Sequence, residues 1–264
     1  MSAGGAHIAT LPMYDWPEIR EATDTFWECL RNSLQSFGFP APQRLMRDGG
    51  DTQLWRHPGL VLGQTCGLPL VSGLTDSVTV VGTPAYDIEC GAGCYFSVIV
   101  VHKDSPIGEE ADLVGTRLAY NGPTSQSGYA ALAYHLRTLA GDNPVFAEKF
   151  VSGSHRQSLR MVAEGQADVA AIDAVSWQLA QRHEPAALSL RILARTEPTP
   201  GLPMICARGA GWSTDKMHIA VIEAMAALDP DASDALLLNG FAQTRLSDYA
   251  VIAKRSREIQ DLTL

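Results

Sequence analysis

The feature that most constrains this chain is a repeated alternation of short apolar runs with amphipathic helical stretches, a rhythm that packs best as helices laid on sheets. Strands are predicted at His7–Leu11, Leu60–Gly63, Val78–Gly82, Tyr95–Val101, Arg117–Tyr120, Val169–Ile172, Leu190–Ala194 and Met204–Ala207. Helices fit at Ser127–Leu139, His155–Glu164, Ala174–Arg182, Thr214–Ala227 and Leu246–Ile259. An earlier one is marked by Ile19, Thr23, Phe26, Trp27, Leu30, Leu34 and Phe37 on one face, with Gly38 as its stop. Asp15 and Glu18 have capping-box spacing ahead of it. The pattern predicts an α/β protein with mainly parallel sheets. Two long strand-like segments, near 95–103 and 190–207, flank a self-contained α/β block. A chain that leaves one lobe, builds a second and returns makes two hinge crossings. The expected lobes are 1–100 with 200–264, and 101–199, with a ligand cleft between them.

Charge narrows the partners. With 20 Lys+Arg against 29 Asp+Glu, the net charge of −9 argues against nucleic acid, whose backbone needs a basic face. It leaves small anions open, because oriented N–H groups and hydroxyls can hold them. The opening residues, MSAGGAHIATLPMYDWPE, show neither the basic nor the apolar part of a secretory leader. No stretch approaches the roughly 20 apolar residues that span a bilayer. Of the five cysteines, Cys90 and Cys94 stand in Glu-Cys-Gly-Ala-Gly-Cys. A bridge, a share in a metal site, and a glycine-rich turn between buried thiols all fit that spacing. No second Cys/His pair supports zinc, and neither a metal nor a cofactor is expected.

The most informative stretch runs from Asp112 to Tyr129, DLVGTRLAYNGPTSQSGY. A strand ends in a polar loop and the loop opens a helix, so Ser125 and Ser127 stand beside the first free N–H groups. Hydroxyls, unpaired amides and the positive end of the helix dipole together suit an anion. A plain N-cap is the simpler role for either serine alone. A second strand-loop-helix follows, VSGSHRQSLR, with His155 at its helix start, and then Ala167–Asp173 with Asp173 at a strand end. Ligands of open α/β sheets lie beyond the carboxyl ends of strands. A nucleotide P-loop, a Gly-x-Ser-x-Gly elbow and a dinucleotide glycine motif are all absent. In the first lobe, Gly63–Pro69 is placed to aim Thr65 and the amides of Cys66 and Gly67 at a ligand.

The run from Asp112 through Tyr129, with Gly153-Ser154-His155 and ADVAAID at 167–173, resembles the phosphate/phosphite/phosphonate-binding components of ABC importers. That resemblance covers most of the chain and is strongest from about 58 to 208. It implies a type 2 periplasmic-binding fold and a small oxyanion as ligand, with ABC permease subunits as partners. It implies a monomer, no catalysis and a periplasmic setting, while the chain as read, lacking a leader, also fits the cytoplasm. By match to the family the ligand contacts are Tyr14, Ser125, Gln126, Ser127 and His155, with Asp173 aligned less closely. Gln126 stands where the family often has threonine. Aminophosphonate binders carry an acid near the second crossing, where this chain reads Pro198-Thr199-Pro200-Gly201-Leu202-Pro203. An amine-bearing ligand would have to rely on Asp173 or Glu197. The competing readings are a cytosolic biosynthetic enzyme of the same fold, with Cys66 as nucleophile and His155 as base, and an intracellular ligand sensor.

Overall fold

The computed structural model describes residues 6–139, 144–260 and 262. The chain divides into two compact units, Met1–Cys94 with Pro200–Ala250, and Tyr95–Thr199 with Val251–Leu264.

In the first unit five strands lie in the order Ile8–Thr10, Leu60–Gln64, Met204–Ala207, Val78–Tyr86, Leu238–Ala242. Ile8–Thr10 and Leu60–Gln64 are parallel, while Met204–Ala207 runs antiparallel to both of its neighbours. The helix Arg20–Ser36 buries the expected face of Thr23, Phe26, Trp27, Leu30 and Leu34, packing against the helix Thr214–Ala227. Its C-terminus closes as Gly38 adopts φ +85° and the amides of Gly38 and Phe39 reach back to Gln35 and Leu34. The expected capping box does not form. The Asp15 carboxylate is held by the Arg47 guanidinium, at 2.5 Å to Nε and 3.2 Å to Nη2, and the helix is led in by the 3₁₀ turn Pro17–Ile19.

In the second unit the strand order is Glu148–Val151, Arg117–Tyr120, Val169–Asp173, Ser97–His102, Leu190–Arg195. Val169–Asp173 is buried along its whole length. Such near-continuous apolar runs occur where both faces of a sheet are covered. Arg117–Tyr120 is parallel to both of its neighbours, and Ser97–His102 antiparallel to both of its own. At the foot of this sheet the Asp168 carboxylate accepts from the backbone N of Arg117 at 2.8 Å and from its guanidinium at 2.8 and 3.1 Å.

The sheets are therefore mixed rather than mainly parallel. Ser97–His102 and Met204–Ala207 are the first long strands after the chain changes unit, and each is inserted against the direction of its neighbours. Periodicity reports burial and not direction, so alternation alone cannot reveal this. The chain also changes unit a third time, at Ala250/Val251, whereas 200–264 was expected whole in the first lobe. The tail helix Ala250–Glu258 is tied to the second unit by Arg255, which pairs with Glu197 at 2.6 Å and lies 4.7 Å from the Tyr134 ring centroid.

Candidate functional site

The second unit gathers polar groups at the carboxyl ends of its parallel strands. Arg117–Tyr120 ends at Asn121, and after a short loop Ser125 caps the turn Gln126–Ala130, which is wound one residue wider than an α-helix. Ser125 Oγ accepts from the Gly128 amide at 2.9 Å. Its acceptor side thus performs the plain N-cap role, and its hydroxyl proton remains to be donated. A Cβ at Gly128 would stand 2.4 Å from Asn121 Oδ1 and 3.0 Å from Ser125 Oγ, so a side chain there would displace both groups. Wide turns of this kind recur at functional sites because they displace side chains from the helical register. Gln126 and Ser127 are both buried.

His155 opens the helix His155–Ala163, which Ser154 caps by accepting from Gln157 N at 3.1 Å. Asp173 ends its strand and caps the helix Ala174–His183, with Oδ1 accepting from Ser176 N at 2.9 Å. Three helix starts therefore bring three expected residues together. Ser127 Oγ lies 2.8 Å from His155 Nε2, and Asp173 Oδ2 lies 3.2 Å from the same nitrogen. All three side chains are buried. Burial pushes the His155 pKa below its ordinary value, against the opposing pull of the Asp173 carboxylate and the Ala171 carbonyl. Nδ1 is buried without a partner in hydrogen-bond geometry. Ser127 is fixed from behind as well, because Ser97 Oγ donates to its carbonyl at 2.9 Å while the Ser97 amide donates to Thr196 Oγ1 at 2.9 Å.

This is not a nucleophile triad. In that constellation the carboxylate holds Nδ1 and leaves Nε2 for the serine, whereas here both groups compete for Nε2. The same engagement removes His155 as a free base for Cys66.

In the first unit Tyr14 is buried and meets Tyr86 edge-on, with centroids 5.2 Å apart. Gln64 Nε2 donates to the Tyr86 hydroxyl at 3.0 Å and to the Leu202 carbonyl at 3.4 Å. Leu11, Tyr14, Phe26, Gln64, Tyr86 and Met204 are among the walls of a cavity of about 30 Å³, mostly apolar and large enough for one water. Thr65 is fully buried, its amide donating to Pro203 O at 3.1 Å and its hydroxyl to Cys66 O at 3.4 Å. Cys66 is half-buried at the start of the helical turn that follows. Cys90 and Cys94 are free thiols, and burial raises both of their pKa values. Among the described residues no group of His, Cys, Asp or Glu is arranged to hold a metal ion, and no helix is long and apolar enough to cross a membrane.

Residues 63–250 match the family model of the ABC transporter phosphonate periplasmic substrate-binding protein. The chain belongs to that family. Its members bind a substrate for uptake and are not enzymes, which sets aside the biosynthetic reading built on Cys66 and His155. A comparison with curated protein sequences returned no match. Among solved structures, PhnD1 from Prochlorococcus marinus in complex with methylphosphonate superposes with TM-score 0.73 at 17% identity, covering 96% of this chain and 98% of its own. XAC2383 from Xanthomonas citri, bound to chloride ion, gives 0.72 at 18% identity over 96% and 98%. The periplasmic aliphatic sulphonate binding protein SsuA from Escherichia coli gives 0.63 at 15% over 98% and 93%. These likenesses establish the type 2 periplasmic-binding fold.

Several residues escaped the sequence reading. Ser97 and Thr196 support the serine turn, and Gln64 and Tyr86 line the cavity beside Tyr14. Tyr86 ends a strand that runs on to 86, past Gly82 where the predicted strand stops.

Proposed function

We propose that this protein captures a small tetrahedral oxyanion (a phosphonate, phosphite or phosphate) and presents it, as a monomer on the periplasmic side, to the permease subunits of an ABC importer. The observation that carries the reading is the cluster of Ser125, Gln126, Ser127 and His155 at two helix starts of the second unit, where hydroxyl protons and backbone amides suit an anion. Tyr14 is kept as a proposed contact on the family resemblance, and Thr65 and Cys66 on their place in the turn that follows the strand Leu60–Gln64.

The ligand in this reading carries no ammonium group. Asp173 already faces His155 and caps Ser176, and Glu197 is paired with Arg255. Both acids that could have received an amine are thus engaged elsewhere. Methylphosphonate bound to PhnD1 is a ligand of the proposed kind in a protein of the same fold.

Thermal unfolding against phosphate, phosphite, methylphosphonate, sulfate and 2-aminoethylphosphonate tests this. A ligand at about 100 times its Kd adds about 2.7 kcal/mol of stability. The first three are expected to raise the melting temperature and the aminophosphonate to raise it least. No shift with any of the five would overturn the reading.

A further inference from the structure

The geometry points to Asp173 as a positioning residue that locks His155 in its Nε2–H tautomer and so keeps Ser127 as a hydroxyl donor toward the bound oxyanion. The inference rests on the oxyanion reading above, and it adds a specificity device to that site.

A neutral imidazole nitrogen either carries a proton or accepts one. Nε2 has two oxygens in reach, Ser127 Oγ at 2.8 Å and Asp173 Oδ2 at 3.2 Å. Were Nε2 the acceptor, its lone pair would face a carboxylate oxygen in a buried site, where such repulsion is poorly screened. With the proton on Nε2, it is shared between Oδ2 and Oγ. The serine proton is then not consumed by the ring and is free to be donated outward. The two other members are anchored from behind. Asp173 Oδ1 accepts from Ser176 N, and the Ser127 carbonyl accepts from Ser97 Oγ. An obligate donor at Ser127 selects a ligand that offers an ionised oxygen there, and it disfavours one that offers a proton.

Asp173→Asn should reverse the lock. The cap to Ser176 retains the amide oxygen, because a backbone N–H needs an acceptor. The new NH₂ then faces His155, Nε2 must accept, and the ring proton moves to Nδ1. Ser127 now donates to the ring instead of to the ligand. Removing a donor to a charged group weakens binding by about tenfold or more. The test combines ¹⁵N-histidine spectra of the unliganded protein with calorimetric titration by phosphate and by methylphosphonate. The wild type should show Nε2–H and Asp173→Asn should show Nδ1–H. Asp173→Asn and Ser127→Ala should each weaken binding, and the double variant should bind no worse than Ser127→Ala alone. An Nδ1–H wild type, fully additive losses, or undiminished binding by Asp173→Asn would overturn the lock. The wild-type spectrum decides the tautomer even if the variant fails to fold. Wild type with Nε2–H that binds neither anion removes the functional reading and not the lock, whereas saturable binding with Nδ1–H removes the lock alone.

Discussion

Both units lay helices on a five-stranded mixed sheet, yet they differ in what they bury at the polar ends of their strands. Among the described buried polar side chains, those of the first unit are Thr10, Thr23, Gln64, Thr65 and Thr83, all neutral. The second unit buries Ser and Thr hydroxyls too, but also His155, Asp173 and Glu184. Ionisable groups are costly to bury unless they are paired, so their presence marks where the protein spends stability on a task. Among the described residues, the buried polar side chains of the first unit are neutral, and those of the second include charged groups.

That contrast can be broken by mutation. The largest expected effect is at Glu184, whose Oε2 lies 2.6 Å from Arg156 Nε and 2.8 Å from Arg160 Nη2. The pair of arginines ties the helix that begins with His155 to the end of the next one. Glu184→Ala leaves two cations without their shared partner, and chemical denaturation should show a loss of about 3–5 kcal/mol. A loss under about 1 kcal/mol would mean that the buried charge is structurally idle.

In the first unit the matching test is neutral. The Tyr249 hydroxyl lies 2.6 Å from Thr83 Oγ1 and donates to the Gly201 carbonyl at 3.1 Å, and burial raises its pKa well above the usual value. Tyr249→Phe should cost about 1–3 kcal/mol, chiefly by removing the hydroxyl donor to the Gly201 carbonyl, since Thr83 Oγ1 keeps Thr244 Oγ1 at 2.6 Å. An effect as large as that of Glu184→Ala would blur the contrast.

Acidification sharpens it. His155 has a folded pKa below its ordinary 6.5, so the unfolded chain takes up that proton first and stability falls as pH drops below about 6.5. For Glu184, burial pushes the pKa up, but Arg156, Arg160 and the Ala186 amide outweigh it. Its stabilisation is present above the ordinary value of 4.5 and is lost as pH falls through the lowered folded value. Trp177 lies in the second unit and the other four tryptophans in the first. With ¹⁹F-labelled tryptophan, the Trp177 signal should respond to acid before the others, and a His155→Gln variant should lose the early phase. The smallest effect belongs to an exposed pair, Lys254 with Glu258 at 3.8 Å. Lys254→Ala should change stability by under about 0.5 kcal/mol in the same denaturation experiment.

How much of this was legible depended on where the information lies. Strands such as Val169–Asp173 were readable because burial on both faces leaves an unbroken apolar run. Glu148–Val151 was read only as an unbounded strand leading into VSGSHRQSLR, because its side chains are largely exposed and its sequence, EKFV, lacks that run. Leu238–Ala242 was missed because Asn239-Gly240 looks like a turn, whereas here the register shift between Leu238 and Gly240 absorbs it within the strand. The direction of Ser97–His102 depends on a partner far along the chain and leaves no local trace. At the site, Ser125, Ser127, His155 and Asp173 were each visible as residues at helix starts or strand ends. Their convergence on one imidazole nitrogen was not, because contacts across 28 and 18 positions are set by the fold.

The most direct test of the account follows the His155 ring and Ser127 by NMR while methylphosphonate is titrated into the wild-type protein. Saturable shifts at His155 Nε2 and at the Ser127 amide, with the His155 shift moved to about tenfold higher ligand concentration in Ser127→Ala, are the predicted result. Binding that saturates while both signals stay still, or no binding at millimolar ligand, would contradict it.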